Sequence, residues 1–124
     1  MAEELGHPEP IQLGNFYAGE IPDPVLYQFQ NYDYSTKDLS AATAVEFEIE
    51  KDGGTAAAGA GTAELVPTNE LPTGETVQGY VRYAFVAADM AAAGHYEALF
   101  WVTTPSNEWA SKKIVWYVQD GPRV

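Results

Sequence analysis

Residues 80–102, YVRYAFVAADMAAAGHYEALFWV, read as a strand, a short alanine-rich connector and a second strand. Tyr80–Val86 alternates, with Val81, Tyr83 and Phe85 on one side. In His95–Thr103 the inward set is Tyr96, Ala98, Phe100 and Val102, opposite His95, Glu97, Leu99, Trp101 and Thr103. AADMAAAG is too short for a stable free helix and suits a single helical turn where the chain rounds a corner. Tyr96 stands just past that turn. Its hydroxyl is expected to point back onto the connector's backbone, with Asp89 and Gly94 completing a structural corner.

A tyrosine so placed is a feature of Ig-like β-sandwiches, where it lies two residues before a position that holds cysteine in antibody domains. Here that position is Ala98, and the chain has no cysteine. The expected fold is therefore all-β, an Ig-like antiparallel β-sandwich without a disulfide, with an extended N-terminal arm and a short helical corner. The 124 residues suffice for one domain that buries roughly two-thirds of its unfolded surface without metal or disulfide staples.

The other strands follow from alternation and turn residues. Val25–Gln30 places Val25, Tyr27 and Phe29 on one face, and NYDYSTKD is a polar turn. VEFEIE alternates Val45, Phe47 and Ile49 with Glu46, Glu48 and Glu50, the pattern of an antiparallel sheet wet on one side. KDGG ends that strand, and the Gly, Ala and Thr run at 53–62 reads as a flexible loop. A short strand around Thr62–Val66 precedes a second long loop, PTNELPTGETVQG. The last strand is expected over Trp109–Val118, after a turn at TPSN. Residues 1–18 are expected to be an extended arm with short edge pairings, since Pro8, Pro10, Pro22 and Pro24 crowd the first 24 residues and proline lacks the amide a central strand needs. That leaves 19–119 for the sandwich and 120–124 for a C-terminal tail.

IVWYV, residues 114–118, is apolar on both alternations, which predicts cover on both sides. The cover is either the chain's own N-terminal arm, with IQLGNFYAGEI folded across the sheet, or another subunit. Leu99, Trp101 and Trp116 are expected on that outer face as protein-interface residues, with Trp109 near the turn, and Leu5, Ile11 and Leu13 as apolar anchors on the arm.

Catalytic motifs are missing from the sequence: neither His7 nor His95 has a neighbour suggesting a triad or zinc cluster, and no HExxH, CxxC or GxSxG occurs. The glutamate row at 46, 48 and 50 reads as a solvated face rather than a cation site, and Asn31, Asp33 and Asp38 lack the glycine and distal glutamate of a calcium loop. No cofactor, no metal and no enzymatic activity is expected. A net charge of −12 argues against nucleic acid or an anionic membrane as partners. MAEELGHPEP has neither the basic start nor the apolar core of a signal peptide, and no apolar run nears the ~20 residues of a membrane span. Cysteine-free composition fits synthesis in a reducing cytosol.

Two segments together carry a family resemblance. DYSTKDLSAATAVEFEIEKDGG joins a turn to Asp38-Leu39-Ser40 and then the VEFEIE strand, and GYVRYAFVAADMAAAGHYEALFWV joins an arginine-tyrosine strand to the corner. Their order and spacing, over about residues 19–103, resemble the Ig-like N-terminal domain of tailed-phage upper baseplate proteins and small stand-alone phage structural relatives. The resemblance implies a non-enzymatic virion component, docked on capsid, neck or tail proteins, with homo-oligomerisation open. A receptor-binding platform like that of the multidomain relatives is not expected after DGPRV, and EWASKKIVWYV stands where a Pro-Asn-Gly-Tyr-like segment often precedes their final strand. A carbohydrate-binding module, stacking sugars on Trp101 and Trp109, is the competing expectation.

Overall fold

A computed structural model describes residues 9–120 as nine strands and two single 3-10 turns. The strands are β1 (Ile11–Tyr17), β2 (Val25–Gln28), β3 (Ala44–Lys51), β4 (Ala57–Ala58), β5 (Thr62–Leu65), β6 (Tyr80–Ala84), β7 (Gly94–Thr103), β8 (Glu108–Ala110) and β9 (Ile114–Gln119). The larger sheet runs β1-β9-β7-β3-β4, with β8 also paired to β7, and the smaller runs β2-β6-β5. Every pairing is antiparallel except β1 on β9.

The two sheets pack through the alternating apolar sets. Phe47, Phe100 and Trp116 from the larger sheet meet Val81 and Tyr83 from the smaller and Phe85 just past the end of β6, and all are buried. Phe47 stacks on Tyr83 with centroids 4.1 Å apart, and Phe85 meets Trp116 edge-on at 5.3 Å. Such pairs add about 0.5–1.5 kcal/mol beyond the area they bury. The β3 alternation holds in register: Phe47 lies opposite Phe100 and Glu48 opposite Leu99.

Three expectations need correction. The edge pairing expected of the arm is a full seven-residue strand: Ile11–Tyr17 pairs with β9, which makes it part of the larger sheet rather than an arm ahead of it. The prolines flank this run without entering it, which leaves its amides available. Ile11 N–H reaches Lys113 O at 2.8 Å, and a bulge between Gln12 and Gly14 fits the run to β9. Residues 53–62 are not a simple loop either. Ala57–Ala58 pairs with β3, and Gly59 N–H donates to Phe47 O at 2.9 Å. Finally, the single strand expected over 109–118 breaks into β8 and β9 at Ser111–Lys113. Ser111, itself buried, supplies the missing rungs: its N–H donates to Phe100 O, and its Oγ accepts from Phe100 N–H at 2.9 Å.

Candidate docking surfaces

The connector holds the corner that positions both faces. Ala87–Met90 forms a 3-10 turn, and Tyr96 Oη donates to Ala92 O at 2.6 Å. Burial, first of all, pushes the Tyr96 hydroxyl's pKa upward. Gly94 adopts a φ of +156°, which L side chains rarely take, and a Cβ there would also sit 2.7 Å from Asp52 Oδ2, the movable end of that side chain. Asp52 uses that space. Its Oδ1 accepts His95 N–H at 2.8 Å, which with the Lys51 ammonium holds its carboxyl below the ordinary 3.8.

Asp89 is buried, and its carboxylate ties three segments together. Oδ2 accepts Tyr83 Oη at 2.6 Å and Val86 N–H at 3.1 Å, while Oδ1 accepts Ala60 N–H at 2.8 Å. Tyr83 Oη in turn accepts Gly61 N–H at 2.7 Å, and its own pKa is pushed far up by burial and by the Asp89 carboxylate. The sequence signals Asp89 only as a corner residue. Its reach to residues 60 and 61 is a long-range contact that local spacing does not encode.

On the outer face of the larger sheet, Leu99 and Trp101 alternate away from the core and are half-buried. Glu48, Glu50, Glu97, Leu99 and Lys113 border a cavity of about 260 Å³, with Lys113 Nζ 3.2 Å from Glu97 Oε1. Trp116 does not belong to this face. It is 1 % exposed and lies in the core, stacked on Tyr96 at 5.4 Å, because Ile114, Trp116 and Val118 form the inward set of β9. Val115, which is buried, and Tyr117, which is exposed, are the residues of IVWYV that β9 turns the other way. Ile11 and Leu13 are also displaced from their expected role, since both are partly buried against the chain's own core as members of β1. Lying edge-on in the sheet, β1 does not fold across its outer face. Leu5 lies outside the described residues.

A second surface was not anticipated. Between β2 and β8 runs an open groove of about 610 Å³, bordered by Tyr27, Tyr32, Tyr34, Trp109, Lys37 and Lys112. Tyr32 is 91 % and Tyr34 66 % exposed. The turn that presents them is built by Asp33, whose Oδ1 accepts both Ser35 N–H and Ser35 Oγ, and by the bridge between Gln30 and Thr36. Lys37 Nζ stands 4.6 Å from the Trp109 ring centroid, a cation–π contact that occupies one face of the indole. The two sides meet where Lys112 N–H donates to Tyr27 Oη at 3.1 Å. NYDYSTKD carries the sequence signal of a turn, but nothing local says that it faces Trp109.

Among the described residues no group of three or more His, Cys, Asp or Glu side chains is placed to hold a metal ion. Nor is any helix among them long and apolar enough to cross a membrane. No protein-family model matches the chain, and no curated protein matches it.

Proposed function

We propose that this chain is a non-enzymatic docking module of a tailed-phage virion, built on an Ig-like sandwich and bound to capsid, neck or tail proteins. The observation that carries the reading is the groove between β2 and β8, where two strand edges and the aromatic side chains of Tyr27, Tyr32, Tyr34 and Trp109 are presented together. Aromatic rings that keep an apolar body in contact and a polar tip wet suit protein interfaces. The strand order supports the Ig-like assignment: β2-β6-β5 opposes β9-β7-β3-β4, with β1 joined in parallel to β9. The bond from Tyr96 to Ala92 O supplies the corner expected of that fold. The docking surface of this reading shifts from Trp116 to the groove, with Leu99 and Trp101 as a secondary patch.

The groove's aromatics and the side-chain amides of Gln28, Gln30 and Asn31 also favour a second reading, sugar binding. Against it stands the lysine already lying over Trp109. Mass spectrometry of purified phage particles from cells carrying the gene tests the first reading. It predicts the chain at stoichiometric level in the particle, reduced by Tyr32→Ser with Tyr34→Ser. Particles without the chain contradict it.

A further inference from the structure

We infer that the groove between β2 and β8 takes an extended, acidic peptide segment of a partner protein, a deepening that rests on the docking reading above. Three observations converge on that occupant. The first is the geometry of the walls. Residues 27–32 and 109–112 border the groove as consecutive runs. Successive strand side chains point to opposite faces, so where consecutive residues lie within a strand, at Tyr27–Gln28 of β2 and Trp109–Ala110 of β8, the strand's edge is turned to the groove. Among the described residues Tyr27–Gln28 and Trp109–Ala110 lie on open strand edges, since β2 is the last strand of the smaller sheet and β8 pairs with β7 alone, whereas Phe29–Asn31 pairs back onto Ser35–Lys37. An edge offers main-chain donors and acceptors at strand spacing, which an extended peptide satisfies by adding alongside.

The second observation is charge. The chain carries eighteen acidic residues and six basic ones, yet among the described residues no carboxylate lines the groove, while Lys37 and Lys112 do. The other described cations are each held by a carboxylate: Arg82 by Glu64 and Glu70, Lys51 by Asp52, Lys113 by Glu97. A peptide bearing carboxylates complements this patch, whereas a basic one meets two like charges. A nucleic acid, charged along its whole length, is opposed by the chain's net charge of −12 beyond the groove.

The third is the aromatic floor. Tyr27, Tyr32, Tyr34 and Trp109 give apolar side chains on alternate peptide positions something to pack on. The segment's chemistry is then carboxylates interleaved with aromatic or aliphatic residues.

Fluorescence polarisation of the intact protein tests this with a labelled peptide alternating glutamate with tyrosine and leucine, against the same peptide carrying lysine in place of glutamate. The acidic peptide binds and the basic one does not. K37E with K112E weakens binding by about tenfold or more, and added salt weakens it as well. The charge-matched pair K51E with K113E, away from the groove, leaves it unchanged. Binding of neither peptide, equal binding of both, equal loss in the two charge-reversed pairs, or displacement by a neutral oligosaccharide each overturns the inference. Particle association that still falls with Tyr32→Ser and Tyr34→Ser then preserves the docking reading, and association untouched by them removes that reading too.

Discussion

Asp89 and Tyr96 sit seven positions apart on the same corner, and their bonds differ in kind. Tyr96 makes one neutral bond, to Ala92 O. Tyr96→Phe removes it and strands a carbonyl, so the denaturation midpoint should fall by an amount worth about 1–2 kcal/mol. Asp89 accepts three bonds in a buried setting, from Tyr83, Val86 and Ala60. Asp89→Ala strands all three donors and should cost more, about 3 kcal/mol in a urea titration. Equal losses in the two variants would show that the carboxylate network is not what holds the 59–61 segment in place. The same scale explains the misplacement of Trp116. With apolar residues on both alternations of IVWYV, nothing in that run says which set faces the core, and a shift by one residue exchanges the faces.

At the level of elements, β3, β6 and β7 were legible because each alternates cleanly over five or more residues with turn residues at its ends. β1, β4 and the break between β8 and β9 were not, because each depends on a partner distant in sequence. Ile11–Tyr17 is strand because Lys113–Gln119 offers it an edge, and Ser111 interrupts the last strand by bonding Phe100. The glycines at 59 and 61 looked like flexibility and are instead close approach: a Cβ on Gly61 collides with the Ala84 carbonyl and comes within 2.9 Å of Tyr83 Oη. Gly61→Ala should therefore cost about 2–3 kcal/mol, through the clash and the disturbed Tyr83 bond. Gly53→Ala meets only open space and a φ of +76°, for about 1 kcal/mol. Thermal melts of the two variants check the order. The groove was illegible for the same reason as β1, since its walls lie about eighty residues apart in sequence.

For the whole molecule, pH provides a test of the loop architecture. Asp33, Asp38 and Asp52 are held below 3.8, and Glu75 below 4.5, chiefly by hydrogen bonds from Ser35, Ser40, His95 and Thr36 in that order. Lowered folded-state values mean that the unfolded chain binds protons first. The contribution is therefore complete above the unfolded values and is lost as pH falls through the folded ones. The melting temperature should be level from about pH 7 to 5 and drop below about pH 4. A drop already complete by about pH 5 would contradict these bonds. Hydrogen–deuterium exchange of the free against the particle-bound protein tests the proposed docking through the groove between β2 and β8. The account predicts new protection over residues 26–37 and 108–113 on assembly, with β3 and β6 unchanged. Protection confined to the outer face around Leu99 and Trp101, or none at all, would contradict it.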